Sequence, residues 1–138
     1  MPVTKLEPKE VVESFILDLK RILVSPNFNV NLDLDILLKK NGENPLDPFT
    51  TENTLAALDY DKNDVRNQLL SITVSDYIET IVDNKNACLP SFYTFCQEIQ
   101  KRDIYMKIKI RDRTNGKVFC VSFHFARYAI SKPLPYET

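Results

Sequence analysis

The side chain best suited to acid–base chemistry in this 138-residue chain is its only histidine, His124. An imidazole has an unperturbed pKa of about 6.5, so it can take up or release a proton near neutral pH. His124 lies in the stretch KIKIRDRTNGKVFCVSFHF, from Lys107 to Phe125, where polar and apolar residues alternate. Alternation with a period of two predicts strands that have one polar and one apolar face.

The dipeptide Asn115–Gly116 predicts a hairpin turn within this stretch, because both residues tolerate the positive φ angles of a type I′ turn. A two-residue loop places Lys107 directly opposite His124, whereas a four-residue loop shifts the partners by two and keeps the same faces. The residues predicted to face the core are Met106, Ile108, Ile110, Val121, Phe123 and Phe125. Those predicted to form the opposite side, called the polar face below, are Tyr105, Lys107, Lys109, Arg111, Ser122 and His124.

The polar face combines a side chain that can exchange protons near neutral pH with side chains that carry positive charge. In the two-residue register, a protonated His124 and Lys107 would repel each other unless something anionic, such as a phosphate, lay between them. The alternative is that His124 is an ordinary neutral histidine.

Composition argues against several other classes of protein. Cys88, Cys96 and Cys120 are widely spaced and, with one histidine, do not supply the paired ligands of a structural zinc site, so we expect reduced thiols and no metal or other cofactor. Only two glycines are present, and no glycine-rich phosphate loop can be recognised. Nothing near the N-terminus resembles a secretion signal, and no apolar run approaches the roughly 20 residues of a membrane helix. These features predict a soluble, cytoplasmic protein with a single domain over residues 1–138.

The net charge of −1 conceals two segments of opposite sign. Met1 to Gln100 contains 9 Lys and Arg against 16 Asp and Glu, a net charge of −7, whereas Lys101 to Thr138 contains 9 against 3, a net charge of +6. A basic, strand-rich segment favours an anionic partner such as RNA. Lysines on a solvated strand would produce the same pattern, so charge alone leaves both interpretations open.

Apolar spacing predicts helices before the strands. The longest begins at Pro8, ends before Ser25 and carries apolar residues at intervals of three and four. Shorter helices are predicted over Leu34–Lys39, over Thr54–Leu58, after the cap Asp61 and after the cap Ser75. Strands are predicted over Phe92–Ile99, Asp103–Arg111 and Lys117–Arg127, with a break in the pattern over Asn84–Pro90. This order indicates an α+β fold with N-terminal helices packed on one face of a small antiparallel sheet.

Several segments resemble the MqsR-type toxins of bacterial type II toxin–antitoxin systems, which belong to the RelE-like group of mRNA-cleaving ribonucleases. The resemblance covers roughly Leu55 to Ile130. It is carried above all by IYMKIKI (104–110) and VFCVSFHFARYAI (118–130), with VRNQLLSIT (65–73), SDYIE (75–79) and FYTFCQEIQ (92–100) in support. It implies a RelE-like fold in which residues 1–49 are an N-terminal helical extension that covers the sheet, contacts the antitoxin or, as we favour, enlarges the core.

The resemblance also implies a function, namely metal-independent cleavage of single-stranded mRNA that inhibits growth until a cognate antitoxin protein neutralises it. Neither a membrane nor, for the toxin by itself, DNA is an expected partner. Tyr105 matches the aromatic residue proposed to lie in or near the active site, and His124 takes the place of a basic residue.

Metal-free cleavage of the kind that the resemblance implies uses the ribose 2′-OH as the nucleophile. The protein must then remove a proton, stabilise the phosphorane and protonate the leaving 5′-oxygen. Under this expectation His124 is the acid or base, Lys107 stabilises phosphate charge, and Tyr105 donates a proton or stacks on a base. Further RNA contacts are expected for Lys109, Arg111, Arg127 and Tyr128, with the alternative that Tyr128 covers the edge of the core.

A lysine of the founding member of the family would fall near Glu79, and a subset of members carries a lysine where this chain has Gln97. Gln97 is expected to contact RNA. These departures leave open a non-catalytic RNA-binding or protein-binding module of the same fold.

Overall fold

The computed structural model describes residues 3–82 and 89–137, which form an α+β fold, as predicted. The helices are α1 (Lys9–Val24), α2 (Val30–Asp33), α3 (Thr51–Leu58) and α4 (Lys62–Leu70), and a 3-10 turn spans Val74–Asp76. The strands are β1 (Val3–Lys5), β2 (Leu34–Ile36), β3 (Tyr77–Val82), β4 (Phe92–Ile99), β5 (Arg102–Asp112) and β6 (Lys117–Phe125). They form one sheet in the order β1-β3-β4-β5-β6-β2, antiparallel except where β2 runs parallel to β6.

The N-terminal helix packs against the middle of the sheet and begins after Pro8, as expected, because the first turn of a helix does not need that N–H group. Its buried stripe consists of Val12, Phe15, Ile16, Leu19, Ile22 and Leu23, the residues that the spacing selects. The ring of Phe15 stacks on that of Tyr93 in β4, with 3.9 Å between the ring centroids. Within residues 3–49, α1 and Leu34 contribute buried side chains to the core, and β1 and β2 supply both edge strands, so this segment is not only helical.

Two of the predicted helices are wrong, because both segments form strands. The first, Leu34–Lys39, contains β2, whose LDI sequence alternates so that Leu34 is buried while Asp35 points outward to Arg111, 2.8 Å away. The second, after Ser75, forms β3, which pairs with β1 on one side and β4 on the other. Apolar residues in such short segments fit helical and strand spacing equally well, and pairing with neighbouring strands decides between them.

The other predicted elements are confirmed. Helix α4 follows Asp61, which forms a capping box with Asp64 through two hydrogen bonds of 2.9 Å. Strands β4, β5 and β6 match their predicted ranges, except that β6 ends at Phe125 and leaves Arg127 outside the sheet. Most of the predicted break over 84–90 lies outside the described residues. In the described part of the chain, no helix has the length and apolar character needed to cross a membrane.

Candidate active site

The hairpin that carries the polar face has a four-residue loop, so the two-residue turn predicted at Asn115–Gly116 is wrong. Asp112 pairs with Lys117 across the hairpin. The Asp112 carboxylate accepts hydrogen bonds from the backbone N–H groups of Thr114 and Asn115, both at 3.0 Å. An aspartate that binds its own following backbone stabilises this wider turn. The four-residue alternative therefore describes the register near the histidine.

In this register His124 lies directly opposite Tyr105, and Lys107 lies opposite Ser122 rather than opposite His124. The lysine is therefore a diagonal neighbour of the imidazole. An irregularity at Val121 adds one residue to β6, so Val121 is only half-buried instead of facing the core. Two buried residues, Val118 and Cys120, take the core positions beyond it. Apart from this local exchange, the predicted separation into an apolar and a polar face is present.

Helix α3 fixes the part of β6 that bears His124. Direct pairing with β2 extends no further than Cys120, whose carbonyl oxygen accepts from Leu37 N–H at 3.0 Å. Beyond that point the N–H of Phe123 donates to Thr51 Oγ1 at 3.2 Å, and the N–H of Phe125 donates to Thr54 Oγ1 at 3.1 Å. Both threonines are buried. Two hydroxyl groups on one helix thus replace the missing neighbouring strand.

The imidazole of His124 is half-buried, and its tautomer can be assigned. Its Nδ1 lies 3.0 Å from the carbonyl oxygen of Phe125. A carbonyl only accepts hydrogen bonds, so Nδ1 carries the proton and Nε2 is the nitrogen that can accept one. Burial lowers the pKa of His124 below its ordinary 6.5 and Lys40 and Arg127 act in the same direction, against the Phe125 hydrogen bond and Glu43. At neutral pH the ring is therefore an uncharged base.

Tyr105 lies beside the histidine, with 5.5 Å between the two ring centroids. Burial raises the pKa of Tyr105 to about 12, and the charge of Glu79 acts in the same direction. The phenol therefore stays protonated at neutral pH and can donate a proton. Both rings open into a cleft of about 370 Å³ whose other wall is residues 126–130, including the exposed side chain of Tyr128. This volume falls within the range of small-ligand sites.

Two lysines, Lys107 and Lys109, continue the polar face along β5 beyond Tyr105. The ammonium groups of Lys107 and Lys109 lie 4.8 and 4.6 Å from the ring centroid of Phe92. Burial lowers the pKa of Lys107, and the nearby charges of Lys40 and Lys109 lower it further. Among the residues that the structure describes, neither Lys107 nor Lys109 forms an ion pair. These ammonium groups repel one another, and an anion bound between them would stabilise their charged form.

The two predicted arginines already have carboxylate partners. Arg111 donates to Asp35 at 2.8 Å and packs over the ring of Phe119, with 3.8 Å from its guanidinium carbon to the centroid. Arg127 forms an ion pair with Asp47. Each arginine can therefore contact RNA only if it binds a phosphate in addition to its carboxylate partner or if the ion pair breaks.

Gln97 is not part of the polar face. Its amide group lies on the helix side of the sheet, where it donates to Asp76 at 3.0 Å and accepts from Gln68 at 2.6 Å. The structure therefore does not bring Gln97 together with the histidine, and its contact with RNA stays a prediction. Glu79, in contrast, lies near enough to Tyr105 to influence its pKa.

Sequence reasoning missed several residues that complete the site. Lys40 lies in a loop more than eighty residues before Ser122 in the sequence. Its ammonium group nevertheless reaches the polar face and donates to the hydroxyl group of Ser122 at 2.8 Å. Phe92 and Phe119 add aromatic surface to the same face, with 6.2 Å between the ring centroids. No sequence signal marks Lys40, because loop residues have no periodicity, whereas alternation along β6 could have indicated Phe119.

The fold and the site together define an α+β domain with a basic sheet face that carries one histidine. In comparisons with known proteins, no family model, no curated protein and no solved structure matches the chain. Within residues 3–82 and 89–137, no three His, Cys, Asp or Glu side chains are grouped to hold a metal ion. The described cysteines, Cys96 and Cys120, are unpaired thiols, and burial raises their pKa values to about 11 and about 12. What the site can do therefore has to be inferred from its own chemistry.

Proposed function

We propose that the protein is a metal-independent endoribonuclease that cleaves single-stranded mRNA on the polar face. The proposal includes the role that the resemblance to MqsR-type toxins implies, a growth-inhibiting toxin neutralised by a cognate antitoxin. The observation that carries the enzymatic part is the state of His124, an uncharged imidazole with Nε2 as its proton acceptor. A protonated phenol and several ammonium groups lie around it on the same sheet face.

In the proposed reaction, Nε2 of His124 takes the proton of the ribose 2′-OH. The 2′-oxygen then forms a bond to phosphorus, and the bond from phosphorus to the 5′-oxygen breaks. Tyr105 gives its proton to that leaving oxygen, and solvent carries the proton on the imidazolium back to the phenolate. The products are a 2′,3′-cyclic phosphate and a 5′-hydroxyl, and Lys107 and Lys109 stabilise the negative charge that develops between these steps.

The same face suits a single-stranded substrate. Unpaired bases can stack on aromatic rings, at about 1 to 3 kcal/mol per base, while lysines follow the phosphates. The cleft between Tyr105 and the exposed Tyr128 offers such a surface next to the histidine. A double helix would keep its bases stacked and unavailable to this cleft. We therefore expect single-stranded RNA to be cleaved and duplex RNA to be resistant.

The test is cleavage of a 5′-labelled single-stranded RNA, containing every trinucleotide, by the purified chain in the presence of EDTA. We expect His124→Gln and Tyr105→Phe each to slow cleavage by about 10²- to 10⁴-fold, the usual contribution of a general acid or base. Lys9→Ala is the control. Lys9 is exposed at the start of α1, so this substitution removes one cation without changing the polar face.

Equal cleavage by the native chain and His124→Gln would refute the catalytic assignment. Binding of RNA without any cleavage would instead identify a non-catalytic module of the same fold.

The toxin role is tested by induced expression. The native chain is expected to arrest growth, and His124→Gln is expected to relieve the arrest. Continued growth on native expression would exclude that role.

A further inference from the structure

The loop between β2 and α3, residues 37–50, brings a third lysine to the polar face. The ammonium group of Lys40 donates to Ser122 Oγ at 2.8 Å, and the hydroxyl group of Ser122 is buried beneath it. Ser122 pairs across the sheet with Lys107 and lies two residues before His124. Lys40 is thus placed above the centre of the proposed site, although it comes from the N-terminal part of the chain.

Lys40 interacts electrostatically with both of the groups that flank it. Its charge lowers the pKa of Lys107 and that of His124, so it lies close to both side chains. Glu43, the acidic group of the same loop, raises the pKa of His124 but is not among the groups that shift Lys107. Lys40, Lys107 and Lys109 therefore concentrate positive charge at one point of the face.

The turn that presents Lys40 is preformed. It spans Lys40 to Glu43 and is closed by a hydrogen bond of 3.2 Å from Glu43 N–H to Lys40 O. The Glu43 carboxylate accepts from Lys40 N–H at 2.7 Å, which closes the turn a second time. Gly42, the third residue, has a φ of +82°, as a type II turn requires. Little ordering is therefore needed when Lys40 receives a ligand.

The far end of the loop is tied to the segment that follows His124. Arg127 forms an ion pair with Asp47, and its guanidinium carbon lies 5.2 Å from the ring centroid of Phe49. The side-chain amide of Asn53 donates to the carbonyl oxygens of Pro45 and Asp47, both at 2.8 Å. Arg127 is therefore a positioning residue that holds the loop beside the histidine, rather than a side chain left open for RNA.

We propose that residues 37–50 form one wall of the RNA site and that Lys40, oriented by Ser122, binds a phosphate of single-stranded RNA together with Lys107. This inference rests on the proposed function and deepens it, because it assigns a phosphate-binding group to the N-terminal segment. A phosphate between the two ammonium groups replaces repulsion by attraction on both sides. The loop and the sheet then hold the RNA backbone from two directions.

The test measures binding of a 2′-O-methyl single-stranded RNA oligonucleotide, which cannot be cleaved, by fluorescence anisotropy over a range of salt concentrations. Each lost phosphate contact makes the negative slope of log affinity against log salt concentration shallower by about 0.7. Between 1 M and 0.1 M salt, a variant that lacks one contact therefore gains about fivefold less affinity than the native chain. We expect this change in Lys40→Ala and its reversal in Lys40→Arg. Lys39→Ala is the matched control, because Lys39 is an exposed neighbour in the same loop.

The outcomes separate the two proposals. If the native chain does not bind the oligonucleotide, the proposed function fails and this inference fails with it. A second outcome is that the native chain binds and that Lys107→Ala makes the salt dependence shallower, whereas Lys40→Ala does not. That result would refute only the assignment of Lys40. Weaker binding by Lys40→Ala with an unchanged slope, or an equal effect of Lys39→Ala, would likewise refute it, because either result indicates no direct phosphate contact.

Discussion

Replacement of Thr54 by valine is expected to destabilise the strand that carries the histidine. The Thr54 side chain is completely buried, and its hydroxyl group accepts the hydrogen bond of Phe125 N–H at 3.1 Å. Valine has nearly the same shape, so the substitution opens no cavity and leaves one buried N–H group without its partner. A buried donor left unsatisfied costs about 1–3 kcal/mol, and that is the expected loss in the free energy of unfolding.

The magnitude can be measured by thermal or urea unfolding. At about 2.1 cal/mol/K per residue, the 138 residues give an unfolding entropy of about 0.3 kcal/mol/K, so the loss corresponds to a fall in Tm of about 3 to 10 °C. Thr4→Val is the control, because Thr4 lies on the exposed edge strand β1 and should change the free energy by less than about 0.5 kcal/mol.

Two results would refute this reasoning about α3. One is a Tm of Thr54→Val equal to that of the native chain, which would mean that the Phe125 N–H loses nothing when the hydroxyl group is removed. The other is a loss no larger than that of Thr4→Val. In either case α3 would not be acting as the replacement for a neighbouring strand along β6.

Three further predictions concern the histidine and one hairpin. Because His124 is the only histidine, its imidazole C–H signal can be titrated by NMR without assignment, and burial predicts a pKa below 6.5; a higher midpoint would contradict the described environment. With the pKa lowered in this way, the unfolded chain binds more protons than the folded chain just below pH 6.5, so the free energy of unfolding should fall as the pH drops through 6.5 towards the lowered pKa. In urea titrations, His124→Gln should flatten this pH dependence. Lys101 in the β4–β5 turn has a φ of +64°, so Lys101→Gly should raise the free energy of unfolding by about 0.5–1 kcal/mol, and a loss of stability in the same titration would count against a left-handed residue there.

The three longest strands, β4, β5 and β6, could be predicted because their signals are local. Alternation along β5 and β6 identifies both strands and sorts their faces, and the stripe of α1 follows from spacing alone. The register could not be fixed in the same way. It depends on which of two turn chemistries prevails at Asp112–Lys117, and the aspartate side chain, not the Asn-Gly dipeptide, decides it.

The candidate site was predictable only where it lies on one hairpin. Tyr105, Lys107 and His124 share a face because of a period of two, which the sequence displays. Lys40 reaches that face through tertiary packing of a loop, and Arg127 is withdrawn from it by a carboxylate in the same loop. Neither contact leaves a trace in spacing or composition. For Gln97 the resemblance specified a position in the chain but not a side of the sheet, and its amide group lies on the helix side.

The most direct test of the central claim is the identity of the RNA ends that the purified chain produces in EDTA, determined by mass spectrometry. Attack by the ribose 2′-OH, with His124 as base, predicts a 2′,3′-cyclic phosphate on one fragment and a 5′-hydroxyl on the other. A 3′-hydroxyl paired with a 5′-phosphate would show that water had attacked instead. That result, or intact RNA, would contradict the proposed role of the polar face.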